Sequence, residues 1–375
     1  MMKSLVKKTL LALFLITHGA FASQQTVFEN NTEGYHTFRI PAVIMAKDGT
    51  LLAFAEGRRN GRGDSGDVDL VMRRSTDGGA TWGPLAVVWD DAANTCGNPC
   101  PVRDEATGTI HLLLTHNLGS DHESRIIDQT STSTRTVWTM KSTDNGASWS
   151  PPLEITTSVK DPNWTWYATG PGNGIQLERG EHAGRLVIPC DHIEAGTKKY
   201  FSHVIWSDDN GKTWTLGGST PKDQLNECAI AELADGSLLL NMRNYDRSKR
   251  TRAVSRSTDG GRTWSEPLHH PELPEPICQA SMIAIEDGRV LVFSNPASPD
   301  SRVAMRVRKS HDGGQSWSKG SLLHEGPSAY SSLVDLGNGT VGCLYECGEN
   351  HPYERIRFER ITPTTDPEPA SDTTR

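Results

Sequence analysis

The chain repeats one eight-residue pattern five times, and this repetition constrains its fold more than any other feature. The copies fit Ser-x-Asp-x-Gly-x-(Thr/Ser)-Trp and begin at Ser75, Ser142, Ser207, Ser257 and Ser310. Their starts lie between 50 and 67 residues apart, a spacing typical of a repeated supersecondary unit. In such a turn the Asp accepts backbone hydrogen bonds, the Gly permits a positive φ and the Trp packs the bend against a sheet. A calcium loop is the alternative, but the repeated position offers one carboxylate and no closing Glu follows.

Short apolar runs on either side of these turns predict four strands per repeat. In the first repeat we expect strands at 38–46, 50–57, 68–74 and 85–89. Similar units follow at about 100–155, 168–217, 226–269 and 277–324. A sixth unit begins at Tyr330 but lacks both the turn pattern and a fourth strand, which residues 26–29 can supply. The sequence therefore predicts an all-β, six-bladed β-propeller with four-stranded antiparallel blades over residues 23–361.

The two ends of the chain differ in composition from this repetitive part. Residues 1–22 have a basic start, an apolar run at 9–17 and an Ala20-Phe21-Ala22 cleavage pattern, as in an export signal. The apolar run is too short for a standard membrane span, although a retained anchor is the alternative. We expect a mature protein that begins at Ser23, is not inserted in the membrane, and is periplasmic, bound at the cell surface or secreted. Residues 362–375 are rich in Pro, Thr, Asp and Ser, which predicts a disordered tail.

Charge and cysteine content restrict the partners and cofactors. The net charge is −8 and the pI about 5.9, which argues against nucleic acid or an anionic membrane as the main partner. Seven cysteines leave at least one thiol unpaired within the chain. Cys96 with Cys100 and Cys343 with Cys347 are possible pairs, or these are small buried apolar residues. Because C-x₃-C without a supporting His is a weak zinc signal, we predict no metal and no cofactor.

The strand pattern also predicts which polar residues share a face. In antiparallel blades the starts of the first and third strands lie at the same edge as the end of the second, and the Asp-bearing turns lie at the other. The residues expected at the first edge are Arg39, Asp64, Glu227, Arg243, Arg302, Tyr330 and Glu346. A single Arg is usually a solvated surface residue, but three together favour a carboxylate ligand. A Tyr beside a carboxylate can act as a nucleophile.

Several longer segments resemble those of bacterial sialidases (exo-α-neuraminidases). Phe38-Arg39-Ile40-Pro41 precedes the five turn motifs, which correspond to the Asp-boxes of that family. Further similar segments are 170–177, 226–229, 238–244, 330–333 and 344–346. The resemblance covers about residues 35–360. The Asp-box alone is weakly specific, whereas its combination with the ordered Arg, Glu and Tyr segments is strongly specific.

The resemblance implies a retaining hydrolase that removes terminal sialic acid from glycans. By its motifs, Arg39, Arg243 and Arg302 bind the sugar's carboxylate, Tyr330 is the nucleophile and Glu227 the base that activates it. Asp64 is the general acid/base, with Asp67 as the alternative because the loop length varies. Glu346 orients Arg39, and Arg58 contacts a ring hydroxyl. The anomeric carbon of sialic acid bears a carboxylate, which would repel a carboxylate nucleophile but not a neutral phenol.

Two other functional classes are compatible with parts of the sequence. A propeller that binds sialic acid without cleaving it needs only the arginines, so Tyr330, Glu227 and Asp64 together argue against that alternative. Arg62-Gly63-Asp64 is an integrin-recognition tripeptide, which would make the chain an adhesion module. Tripeptides recur by chance, so we favour the enzyme.

Overall fold

A computed structural model describes residues 24–362. The predicted export signal and residues 363–375 of the predicted tail lie outside this range. The described strands form successive antiparallel units. The first described strand is β1 (Gln25–Glu29). The first unit consists of β2 (Thr37–Met45), β3 (Leu51–Arg58), β4 (Val68–Ser75) and β5 (Ala86–Trp89). The second consists of β6 (Thr95–Arg103), β7 (Ile110–Asn117), β8 (Thr136–Ser142) and β9 (Leu153–Glu154).

The remaining units follow the same order. The third unit consists of β10 (Trp164–Thr169), β11 (Ile175–Gln176), β12 (Leu186–Glu194), β13 (Tyr200–Ser207) and β14 (Thr215–Ser219), and the fourth of β15 (Leu225–Glu232), β16 (Leu238–Asn244), β17 (Thr251–Ser257) and β18 (Leu268–Pro274). The fifth unit consists of β19 (Ser281–Ile285), β20 (Val290–Pro296), β21 (Val303–Ser310) and β22 (Ser321–Asp335). The sixth contains β23 (Val341–Cys347) and β24 (Arg355–Ile361). Among the described residues, helix is limited to α1 (Glu123–Ile127), α2 (Thr156–Val159) and a 3₁₀ turn at Gly180–His182. No helix within 24–362 is long and apolar enough to cross a membrane.

These units are the blades of the predicted six-bladed propeller. The innermost strands of neighbouring blades contact one another in sequence: β2, β6, β10 with β11, β15, β19 and β22, and β22 contacts β2 again. Strand β1 pairs antiparallel with β24, from Gln25 opposite Phe358 to Glu29 opposite Arg355. This pairing supplies the fourth strand of the last blade. It confirms the closure predicted from the incomplete sixth repeat, which would otherwise expose an unpaired edge.

Strand β22 differs from the prediction because it serves two blades. Its first part pairs with β21, ending with Val303 opposite Pro327. Its second part pairs with β23 from Ser328 onward. The strand pattern predicts that the fifth unit ends at 324 and the sixth begins at Tyr330. The backbone instead pairs on both sides of Gly326, with His324 opposite Met305 and Pro327 opposite Val303 across a register shift, so one continuous strand connects the two sheets.

The repeated motif forms the predicted turns. In the first copy Asp77 Oδ1 accepts hydrogen bonds from Thr81 N at 2.9 Å and Ser75 Oγ at 2.8 Å, and Oδ2 accepts one from Thr81 Oγ1 at 2.6 Å. Gly79 has a φ of +88° and donates its N–H to Ser75 Oγ at 2.8 Å. In the other four copies, the Ser or Thr four residues after the Asp donates its N–H and its hydroxyl to the Asp carboxylate in the same way. The acceptors are Asp144, Asp209, Asp259 and Asp312.

The tryptophans of these turns join blades to each other. The ring of Trp82 in blade one lies 5.3 Å from that of Phe358 in blade six, and Trp149 in blade two lies 5.7 Å from Phe54 in blade one. Trp264 in blade four donates Nε1–H to Gly218 O in β14 of blade three. For these three residues the predicted packing against a sheet therefore occurs, but the sheet belongs to the preceding blade. The ring of Trp317 in blade five instead lies 5.5 Å from that of Phe293 in its own blade.

All seven cysteines are buried and unpaired. Cys96 and Cys100 lie on one strand, as do Cys343 and Cys347. The possible disulfides are therefore absent, and these residues act as small apolar side chains. Burial raises the pKa of the Cys100, Cys190 and Cys228 thiols well above the ordinary value, which keeps them protonated.

Candidate active site

A cavity of about 310 Å³ opens at the edge of the blades where the polar residues were expected. Strand register separates this edge from the Asp-bearing turns: in β4, Val68 pairs with Arg58 near the cavity, whereas Ser75 pairs with Leu51 at the other end. Seven of the eight predicted residues line the cavity, namely Arg39, Arg58, Asp64, Glu227, Arg243, Arg302 and Tyr330. Glu346, the eighth, contacts Arg39 from behind.

Glu346 holds the first arginine in place. It is completely buried and accepts hydrogen bonds from Arg39 Nε at 3.2 Å and Arg39 Nη2 at 3.3 Å. The backbone N–H groups of Ile40 and Tyr330 donate to its two oxygens at 2.9 and 3.0 Å. One carboxylate therefore fixes both the guanidinium of Arg39 and the backbone that carries Tyr330.

A short hydrogen-bonded chain links Tyr330 to Glu227 and Arg243. The Tyr330 hydroxyl donates to Glu227 Oε1 at 2.5 Å, and Arg243 Nη1 donates to Glu227 Oε2 at 2.6 Å. Arg243 Nη1 also donates to the Tyr330 oxygen at 3.1 Å. Burial and the charge of Glu227 raise the pKa of Tyr330 well above its ordinary value. The phenol is therefore protonated and directed at a carboxylate that can take its proton.

Three guanidinium groups surround the Tyr330 ring. Arg39 and Arg302 lie 4.9 and 5.6 Å from its centroid, and Arg243 contacts its hydroxyl. Arg302 donates to Tyr353 Oη at 2.6 Å and to Ile277 O at 2.9 Å. Within the described chain no carboxylate forms an ion pair with Arg302, whereas Arg39 and Arg243 have Glu346 and Glu227. The cluster is therefore suited to an additional anion.

Asp64 lies at the rim of the cavity between two arginines. Its Oδ1 lies 2.8 Å from Arg58 Nη2 and 3.4 Å from Arg39 Nη1, and its side chain is 58% exposed. Partial burial opposes ionisation, but the two guanidinium groups outweigh it and lower the Asp64 pKa. Asp67, the alternative, pairs with Arg59 at 3.3 Å and does not line the cavity. The geometry favours Asp64 over Asp67.

Arg58 is fixed by several hydrogen bonds of its guanidinium group. It is buried, and its Nη2 and Nε donate to Glu56 Oε2 at 2.6 and 3.0 Å. Arg58 Nη1 donates to Arg62 O at 2.6 Å. Glu56 thus fixes Arg58, which in turn fixes Asp64.

The cavity also has a wall that the sequence did not predict. Its residues come mainly from the second, third and fourth blades: Asn98, Glu123, Arg135, Trp166, Ala168, Asp191, Asn226 and Tyr245. Asn226 directly precedes Glu227 in a segment used for the resemblance, so it carried a signal. The others are scattered along the chain with no motif to mark them. Among residues 24–362, no group of three or more His, Cys, Asp or Glu is arranged to hold a metal ion.

Comparisons with known proteins identify proteins to which the chain is similar. The model of the BNR repeat-like domain family matches residues 49–343. The chain is 35% identical to a sialidase of Micromonospora viridifaciens over 90% of its length, and 34% identical to one of Bacteroides fragilis over 86%. It covers 54% and 62% of the lengths of those two relatives.

Two further similarities extend over most of both chains. An exo-alpha-sialidase of Aspergillus fumigatus is 35% identical over 84% of this chain and 79% of its own length. The solved structure of the Hadza microbial sialidase Hz136 superimposes with a TM-score of 0.81 at 31% identity. That comparison covers 90% of this chain and 68% of the other.

Proposed function

The chain belongs to the sialidase family, and from this premise we propose that it is a retaining exo-α-sialidase that acts on sialylated glycans. The observation that carries the proposal is the cluster of three arginines around a buried Tyr330 that donates to Glu227. Arginine forks bind carboxylates bidentately. A sugar acid bound there would present its carboxylate to the arginines and its anomeric carbon to the phenol.

In the first step Tyr330 attacks the anomeric carbon and Glu227 takes the phenolic proton. The bond to the departing glycosidic oxygen breaks, and Asp64 protonates that oxygen. The product is a tyrosyl-sialoside intermediate and a free glycan. In the second step Asp64 removes a proton from water as the water oxygen attacks the anomeric carbon. The bond from that carbon to the Tyr330 oxygen breaks, and Glu227 returns the proton to Tyr330. Two displacements at one carbon retain its configuration.

The charges around Asp64 indicate that its protonation as the general acid depends on bound substrate. A general acid must hold a proton, yet Arg58 and Arg39 lower the Asp64 pKa. A substrate carboxylate bound at Arg39 would offset that guanidinium's charge and add a negative charge close to Asp64. Both changes favour the protonated acid. We therefore expect substrate binding to raise the pKa of Asp64.

Hydrolysis of a fluorogenic aryl sialoside is the first test. The wild-type protein should release the fluorophore, and NMR should find the α-anomer of sialic acid as the first product. Tyr330→Phe keeps the ring but removes the nucleophile, so it should lose that reaction. A 3-fluorosialyl fluoride should label Tyr330 covalently, as detected by peptide mass spectrometry. Glycan binding without any turnover would refute the enzyme and support a sialic-acid-binding lectin.

The Asp64 assignment is tested by leaving-group dependence. Asp64→Ala should lose about 10²-fold or more on a sialylated oligosaccharide, the usual scale for one acid/base. On a nitrophenyl sialoside the first step should fall far less, because a phenolate leaves without a proton. Asp67→Ala is the matched control and should show no such dependence. Equal losses of Asp64→Ala on both substrates would refute its role as the acid.

We also propose that the protein is exported, on the basis of residues 1–22 alone. N-terminal sequencing of the protein recovered from its native host should begin at Ser23. A mature chain that retains Met1 in the cell interior would contradict this.

A further inference from the structure

Asp191 is a buried carboxyl group in the cavity wall that the proposed reaction does not use. It lies in β12 and is completely buried. Its Oδ2 accepts a hydrogen bond from Asn226 Nδ2 at 2.7 Å, while its Oδ1 has no hydrogen-bond partner. In the described chain no Lys, Arg or His forms an ion pair with it. An unpaired buried acid is costly, so its position calls for an explanation.

The contacts of Asn226 connect Asp191 to Glu227. Ser202, which pairs with Asp191 across β12 and β13, donates its hydroxyl to Asn226 O at 2.5 Å. Asp191 and Ser202 therefore hold the side chain and the carbonyl of Asn226 respectively. Glu227 is the next residue along the chain.

The backbone at this point is not held by the regular sheet. The pairing of β15 with β16 shifts register between Leu225 and Cys228, so Asn226 and Glu227 lie within an irregularity. Bulges re-aim side chains, and the residues in them lack part of the ladder. The orientation of Glu227 thus depends on contacts outside the sheet. Its side chain contacts Tyr330 and Arg243, and its backbone follows Asn226, which Asp191 and Ser202 hold.

The surroundings of Asp191 favour its uncharged form. Burial, followed by the charge of Glu227, raises the Asp191 pKa well above its ordinary value. The ionisable groups that face it are Glu227, Arg243, Glu123, Arg135, Tyr167, Cys190, Cys228, Tyr200 and Tyr245. Ionised Asp191 would place a second negative charge beside Glu227.

We infer that Asp191 is a positioning residue for Glu227, which it orients through Asn226 together with Ser202. The inference rests on the proposed function, in which Glu227 takes the proton of Tyr330. Asp191 acts as a neutral carboxyl group, so that Glu227 remains the anion nearest the phenol. Its ionisation at high pH would disturb that arrangement.

The test compares Asp191→Asn with Asp191→Ala on an aryl sialoside between pH 5 and 9. Asn has the shape of the neutral acid and can accept the Asn226 hydrogen bond. It should stay within about 3-fold of the wild-type kcat near pH 6, and any decline that Asp191 ionisation causes at high pH should be absent. Ala removes the contact and should lower kcat by about 10- to 100-fold, the scale of a misplaced catalytic group, with little change in KM. Ser202→Ala removes the second contact and should lower kcat in the same direction.

Thermal unfolding gives a measurement independent of turnover. Asp191 ionises near its ordinary pKa in the unfolded chain but stays protonated in the folded one, so wild-type stability falls as pH rises between those two values. Asp191→Asn cannot ionise, so its Tm advantage over wild type should grow from pH 5 to 8. A constant Tm difference would overturn the neutral-acid assignment.

Specific results would overturn the rest of the inference. If Asp191→Asn is as inactive as Asp191→Ala, the anion is required; if Asp191→Ala keeps the wild-type kcat, Asp191 does not position Glu227. A wild-type protein that cleaves no sialoside would instead refute the proposed function. The thermal comparison does not depend on turnover, so the two failures are distinguishable.

Discussion

Replacing Glu346 with Gln should damage both stability and substrate binding, because one buried carboxylate serves four donors. Two of them belong to Arg39 and the others are the backbone N–H groups of Ile40 and Tyr330. Gln has nearly the same shape but only one acceptor oxygen. Its NH₂ group must face two donors, whichever way the amide turns.

The expected magnitude follows from those contacts. Removing one partner of a buried ion pair costs about 3–5 kcal/mol, because the other charge stays buried. Arg39 is only 5% exposed, so solvent relieves little of this. With an unfolding entropy of about 2 cal/mol/K per residue, the change lowers Tm by about 4–7 °C. The freed Arg39 should also raise KM for a sialoside by about 10-fold or more.

The assay combines thermal unfolding with steady-state kinetics on an aryl sialoside. Glu349→Gln is the control, because Glu349 is 79% exposed and lies 4.0 Å from Arg355. A surface pair of that kind contributes less than about 1 kcal/mol, and Glu349 does not line the cavity. If Glu346→Gln loses less than about 1 kcal/mol and keeps the wild-type KM, the proposed role of this carboxylate is wrong.

Three further predictions concern the arginines and the turns. Arg302→Lys should weaken binding of a sialic-acid analogue although it keeps the charge, since an ammonium cannot make a two-pronged contact; unchanged affinity by calorimetry would contradict this. The turn hydrogen bonds lower the pKa of Asp77 and Asp144 to about 2. Their stabilising effect is present above the ordinary Asp value near 3.9 and is lost as pH falls toward 2, so Tm should drop over that range and Asp77→Asn should flatten the drop. Gly79→Ala should destabilise more than Gly49→Ala, by about 1–3 kcal/mol in denaturant unfolding. Both have a φ near +90°, but a Cβ at Gly79 would lie 2.1 Å from Phe358, whereas one at Gly49 meets nothing within 4 Å; equal losses would refute the packing argument.

Much of the fold could be predicted because short sequence patterns encode it and recur along the chain. The turn motif depends on bonds within five residues, as between Asp77 and Thr81, so its presence can be read without tertiary information. The closure by β1 was predictable for a related reason: the last repeat lacked one strand, and an unpaired edge is unfavourable. The continuous strand β22 was not predictable, because Gly326-Pro327 resembles a break and only the pairing on both sides keeps it extended.

The candidate site could likewise be predicted only in part from the sequence. Arg39, Glu227, Arg243, Arg302, Tyr330 and Glu346 were found from strand ends and a family resemblance, since strand direction fixes the edge at which each side chain lies. The choice between Asp64 and Asp67 needed coordinates, because both lie in one loop and only its path brings Asp64 to Arg58 and Arg39.

The sequence by itself determined the repeat, the number of blades and the edge that carries the arginines. Each of these follows from short-range spacing, which is a property of the chain. Only the tertiary structure decided that Asp191 contacts Asn226, that Trp82 packs on another blade and that Glu346 serves both Arg39 and Tyr330. Those contacts join residues far apart in the chain, and their chemistry depends on burial, which no local pattern of residues encodes.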